Sequence, residues 1–162
     1  MSSKKSSVSA RQDSFLWQGS LMEIKARADD TGGALGVLEG TFYYEGYGPP
    51  LHVHTREDEV MFVLEGQIRF GVGEDEFVAG PGAWVWQPRG VPHSFKVESE
   101  NARALVIFTP GGIERMFEEG GVPAGGSAEP PRQQEYDQEA AVALAKKFGF
   151  EVVGQQVGNT SP

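Results

Sequence analysis

Apolar and polar positions alternate with a period of two through much of the first two-thirds of the chain. Met22, Ile24 and Ala26 interleave with Glu23, Lys25 and Arg27, the pattern of a half-buried strand. Residues 15–28 therefore read as one or two short strands. Asp29-Asp30-Thr31-Gly32-Gly33 reads as a turn. Leu35, Val37, Phe42, Tyr43 and Tyr44 continue the β-rich pattern, with Gly36 and Gly40 marking a bend or bulge. Val60-Met61-Phe62-Val63-Leu64 is apolar at every position, which predicts a strand covered on both faces. Ile68, Phe70 and Val72 alternate with Arg69 and Gly71. Shorter strands are predicted over 77–79, 83–87 (Trp84 and Trp86 sharing a face), 93–98 and 103–109. Gly/Pro-rich turns separate them, and that rhythm predicts an antiparallel sandwich or barrel.

A helical period begins only after Pro110-Gly111-Gly112. Residues 113–119 predict a short helix. A second helix runs from an N-cap at Asp137 to Phe148, with Ala141, Leu144, Ala145 and Phe148 on one stripe, Lys146 and Lys147 in the last turn and Gly149 at the C-cap. That helix is expected to pack on the outside of the sheet. The resulting organisation is a disordered tail over 1–14, a β-barrel over 15–110, a helical extension over 111–153 with a linker over 120–134, and a flexible tail over 154–162.

Composition narrows the function classes. At 162 residues, 39% of them hydrophobic, one domain with a real core is expected. No stretch approaches the roughly 18 consecutive apolar residues of a membrane span. The basic, Ser-rich start lacks the apolar segment of a signal peptide. A formal charge of −9 with scattered cations argues against nucleic acid as a partner. With no cysteine, disulfides, thiolate zinc sites and cysteine nucleophiles are excluded, and a cytoplasmic address is expected.

The candidate chemistry sits in two stretches, residues 46–66 and 82–97. Side chains two apart on a strand point the same way, so His52 and His54 form half of a chelate. Glu59 enters an apolar run, where an unpaired carboxylate is costly to bury. Facing inward with Met61 and Val63 it needs a cation; at the wet end of its strand it needs none. Glu57 and Asp58 read as solvated loop charges. His93, where a strand restarts after Pro92, supplies a third imidazole. Three imidazoles and a carboxylate suit one divalent transition metal (Fe, Ni, Mn, Cu, Co or Zn) and disfavour hard all-oxygen ions.

These stretches resemble the two sequence motifs of the cupin superfamily. The first, Gly-x5-His-x-His-x4-Glu-x6-Gly, is matched by Gly46, His52, His54, Glu59 and Gly66. The second, Gly-x5-Pro-x-Gly-x2-His-x3-Asn, is matched by Gly82, Pro88, Gly90 and His93, with Val97 at the Asn position. That Asn is not a metal ligand in the family. The resemblance covers residues 15–110. It implies an all-β fold, a small antiparallel β-barrel or jelly roll, with C-terminal helices outside it, a metal at its core and often a homodimer.

Among cupins the chain is most similar to small bacterial forms that include quercetinase-type dioxygenases. This implies oxidation of a flavonol-like or other enolisable aromatic small molecule, with Glu59 as both ligand and base. Tyr44, Met61, Trp84, Trp86 and Phe95 are candidate walls for a flat ligand, each equally readable as barrel core. The alternatives are a non-redox isomerase, cyclase or lyase on the same metal, and a non-catalytic binder. Arg69 and Arg89 are candidate helpers for the non-redox chemistry, and each also reads as an ordinary surface charge.

Overall fold

The alternating segments form twelve strands and three helices in the computed structural model, which describes residues 13–125 and 137–158. In chain order these are β1 (Ser14–Trp17), β2 (Ser20–Ala26), α1 (Ala28–Thr31), β3 (Gly36–Phe42), β4 (His52–His54), β5 (Asp58–Glu65), β6 (Ile68–Val72) and β7 (Asp75–Ala79). There follow β8 (Trp84–Gln87), β9 (His93–Val97), β10 (Ala102–Thr109), α2 (Glu114–Gly120), β11 (Val122–Pro123), α3 (Gln138–Lys147) and β12 (Phe150–Val152). Residues 1–12 of the expected tail, 126–134 of the expected linker and 159–162 of the expected flexible tail lie outside this description, while Gln156 and Val157 hydrogen-bond to Gly46, Phe95 and Ser94.

The strands make two sheets. The larger has the order β11-β1-β2-β3-β10-β5-β8 and the smaller β12-β4-β9-β6-β7, and the strands pair antiparallel throughout the described residues. Alternation decides which side chains face inward. On β3, Gly36, Leu38, Gly40 and Phe42 face the core and are buried, while Val37, Glu39 and Thr41 are not. Met61 and Val63 of β5, Ile68 and Phe70 of β6 and Val97 of β9 meet them from the other strands. This apolar interior is the main stabilising element of the double sheet.

One turn departs from the expectation. Residues 29–33 do not form a simple turn: Ala28–Thr31 make one helical turn. The Asp30 carboxylate accepts a hydrogen bond from the Arg27 backbone N–H at 3.0 Å, and Gly32 ends the turn in the left-handed conformation with φ +66°. The motif residue Gly66 also has φ +80°, and a Cβ there would collide with the Asn101 carbonyl. Glycine is therefore required where β5 turns into β6.

The C-terminal extension forms two helices, α2 and α3, and two short strands, β11 and β12. Asp137 caps α3 by accepting from the Ala140 N–H at 3.1 Å, as its residue type predicts. α2 is anchored by Glu114, wholly buried, whose carboxylate accepts from the backbone N–H groups of Ala28 at 2.7 Å and Gly112 at 2.6 Å. β12, not expected as a strand, pairs with β4 in the register Phe150↔His54 and Val152↔His52. The extension thus reaches the histidine strand directly. No helix among the described residues is long and apolar enough to cross a membrane.

Candidate metal centre

β4 presents His52 and His54 inward and Val53 outward. His93 opens β9 directly opposite His52. β5 turns Glu59 inward, in phase with Met61 and Val63. The four side chains come from three strands and two sheets, and all are buried, at 1–6% exposure. One donor atom from each lies within 4.8 Å of all the others. Metal–ligand bonds of about 2.0–2.2 Å place donors roughly 3–4.4 Å apart around one ion, so the cluster fits a single small divalent cation.

The ring orientations are fixed from behind. Nδ1 of His52 donates to the Pro50 carbonyl at 2.9 Å, and Nδ1 of His93 to the Val91 carbonyl at 2.9 Å. Nδ1 of His54 meets the Glu57 carboxylate at 2.6 Å. The Nε2 atoms of His54 and His93 face Glu59 Oε2 at 3.0 and 3.3 Å. Nε2 is therefore the metal-facing nitrogen, with its tautomer set by the bond at Nδ1.

Electrostatics separates the rings. Burial, reinforced by His93 and His54, pushes His52 down to about 3, so it stays neutral at pH 7. Burial also acts to lower His54, but the Glu57 and Glu59 carboxylates outweigh it and hold the ring up at about 9. Burial acts to raise Glu59, yet its hydrogen bonds to His54 and His93 keep it well below the usual carboxylate range. The His54 ring is thus held between two carboxylates, Glu57 at Nδ1 and Glu59 at Nε2.

A cavity of about 380 Å³ opens over His52, His54 and Glu59. Phe42, Phe95 and Phe108 supply barrel walls, while Met116 and Phe117 of α2 and Val142 of α3 face them from the extension. Phe150 stacks on the His52 ring, with centroids 3.9 Å apart and planes 10° from parallel.

Residues 37–108 match the cupin domain family, and both histidine strands and Glu59 lie within that span. The chain belongs to the cupin superfamily. This cupin is 27% identical over 86 residues to quercetin 2,3-dioxygenase of Bacillus subtilis (strain 168), covering 53% of this chain and 26% of that enzyme. It is 41% identical over 54 residues to an uncharacterized protein of Streptomyces coelicolor, covering 33% of this chain and 51% of that one. The cupin thus spans about a quarter and about half of the lengths of these relatives. Among solved structures, KdgF from Halomonas sp. superposes with a TM-score of 0.58 at 18% identity, over 65% of this chain and 94% of that one. That likeness shows the shared fold.

The cupin brings together His52, His54, Glu59 and His93, and Phe95 lines the cavity. Other expected walls lie elsewhere. Trp84 and Trp86 are 62% and 48% exposed, because β8 turns Val85 and Gln87 inward and the tryptophans outward. Met61 is buried in the core and Tyr44 is exposed in the loop after β3; neither lines the cavity. The Trp17, Tyr47, Phe117 and Phe150 walls escape sequence reading because three of them reach the cavity from outside the motif stretches.

Glu57 is a correction. It is no solvated loop charge but is 3% exposed and bonded to His54, which compensates its burial. It lies in the loop between β4 and β5, where no period of the sequence signals this. Asp58 does remain outside the cluster, where it pairs with Arg89 through Nη2 at 3.0 Å. Arg69 pairs with Glu98 and Glu76, and neither arginine lines the cavity. Val97, at the motif's Asn position, is core.

Proposed function

We propose that this cupin is a mononuclear metal-dependent enzyme of dioxygenase type, oxidising a flat, enolisable, flavonol-like aromatic molecule. The observation that carries this reading is a buried three-His, one-Glu cluster opening into an aromatic cavity. His52, His54, His93 and Glu59 would hold one divalent transition ion. When bound, such an ion supplies Lewis acidity toward an enolate oxygen and, if redox-active, electron transfer to O₂. Glu59 is the one carboxylate on the described cavity wall and so is the candidate to take the substrate's hydroxyl proton. No lysine or arginine is found among the described lining residues, which favours a neutral ring system over a phosphate or a sugar acid. Phe95, Phe117 and Phe150 would hold the ring and exclude water. The similarity to the Bacillus subtilis quercetin 2,3-dioxygenase supports the same reaction class.

The test is elemental analysis of protein purified without chelators, followed by oxygen uptake with quercetin. One transition-metal ion per chain is expected, lost in His52→Ala and His93→Ala, together with quercetin-dependent O₂ consumption. Protein that neither carries nor accepts a metal would defeat the reading. Turnover under strict anaerobiosis would replace the dioxygenase by a lyase, isomerase or cyclase on the same ion.

We further propose that a second copy covers the outer face of the larger sheet. Trp84 and Trp86 of β8 lie beside Phe62 and Val60 of β5, which in turn face Leu105 and Ile107 of β10. Val60 is buried, while Trp84, Trp86, Phe62, Leu105 and Ile107 stay partly or wholly exposed and form an apolar patch. It is flanked by Arg103 with Glu39 and Glu65, so both charge signs are available to a two-fold, self-complementary contact.

A further inference from the structure

We infer that Gln87 is a positioning residue that holds the Glu59 carboxylate in the metal-bound state. The inference rests on the metal-centre reading above and extends it to a residue outside the ligand set. Gln87 lies on the inward face of β8, as the direct cross-strand partner of Glu59 on β5. Side chains so paired have Cβ atoms about 4.5–5.5 Å apart, which puts a glutamine amide within reach of a glutamate carboxylate. Gln87 is 1% exposed. Its Nε2 is the only buried side-chain nitrogen or oxygen without a hydrogen-bond partner among the described residues. A buried donor left in that condition is destabilising, and an apolar side chain of the same length avoids the cost.

The hydrogen bonds of the cluster show what the amide is for. All three histidines commit Nδ1 to acceptors behind them: Pro50, Glu57 and Val91. Only the Nε2 atoms remain for a metal, and two of them face Glu59 Oε2. When an ion takes those nitrogens, Glu59 loses its contacts to His54 and His93. With one carboxylate oxygen given to an ion, the other would need a donor, on a side chain only 6% exposed. Gln87, opposite Glu59 in the strand register and with its buried Nε2 unpartnered, is that donor. The buried amide thus destabilises the metal-free protein and is satisfied in the loaded one.

Metal-free Gln87→Met and Gln87→Glu test this by thermal denaturation and by Co²⁺ titration followed through the visible absorption of the ion. Gln87→Met removes the donor at similar length, and its metal-free melting temperature is expected to equal or exceed wild type. Both variants are expected to bind Co²⁺ at least about 10-fold more weakly. In a Glu59→Ala background Gln87→Met should cause no further loss, because it acts through Glu59. Should Gln87→Met fail to fold, the affinity of Gln87→Glu decides. Wild-type affinity in the variants overturns the inference alone, as does an equal loss with and without Glu59. Wild-type protein that takes up no Co²⁺ overturns both this inference and the metal centre.

Discussion

Glu57→Gln tests whether the buried carboxylate behind His54 is part of the site. The substitution keeps the shape but replaces the charged acceptor for His54 Nδ1 by a neutral amide, which holds the ring's tautomer less firmly. In the metal-free protein His54 is held at about 9 against an ordinary 6.5. At about 1.4 kcal/mol per pH unit, that gap corresponds to about 3 kcal/mol of folding free energy. Both side chains are almost wholly buried, at 2% and 4%, so solvent screening does not reduce it. The folded value lies above the unfolded one. The contribution is therefore complete below about pH 6.5, fades as pH rises through 9, and is absent beyond it. Glu57 shares the effect with Glu59. Glu57→Gln should lose part of it at pH 6, on the order of 1–2 kcal/mol or about 2–8 °C in melting temperature, and almost nothing at pH 10. In the loaded protein the same change should weaken metal binding at least about 10-fold, because the carboxylate fixes the tautomer that exposes Nε2. Chelator-treated protein melted at both pH values, with a competitive metal titration, measures both effects. An equal loss at pH 6 and pH 10 would refute the charge argument, and unchanged metal affinity would refute the orienting role.

Two further outcomes follow from the cavity and the outer face. Phe150→Ala should cost about 2 kcal/mol, less than a fully buried phenylalanine, and should weaken quercetin binding measured by fluorescence quenching; Phe150→Leu should recover most of the stability but not the binding. Trp84→Lys with Trp86→Lys should shift the protein from dimer to monomer in light scattering while metal content stays unchanged, and a wild-type monomer at micromolar concentration would refute the proposed contact.

The metal cluster was legible because strand geometry is local. Side chains two apart share a face, so the His52–His54 pair follows from β4 being extended at all. The remaining two donors followed from motif spacing, since nothing local says that β9 lies beside β4. Glu57 was illegible for the opposite reason: it precedes β5 in a loop, where no period says whether a charge points to water or folds back on His54. The cavity roof was hidden by chain distance. Phe150 reaches His52 only because β12 pairs with β4, and the short segment after α3 carries too weak a pattern to name its partner strand. The helix before it was readable from its cap and stripe, but which ligand pocket that stripe would line was not.

The larger error was one of phase on β8. Tryptophans are large and apolar, so placing Trp84 and Trp86 toward the ligand followed the usual sense of hydrophobic burial. It also forced Val85 and Gln87 to face outward, where a glutamine raises no question. The structure has the opposite phase. A one-residue change of phase moves every side chain of a strand to the other face, and both consequences bear on function. The tryptophans become an exposed pair beside Phe62, which calls for a covering partner. Gln87 becomes a buried amide opposite Glu59, which calls for an acceptor. Composition alone cannot choose between the two phases, because an outward apolar row is acceptable wherever another surface covers it. The inward alternative is decided by the polar residue: a buried amide without an acceptor is tolerable only if the site supplies one when it is occupied.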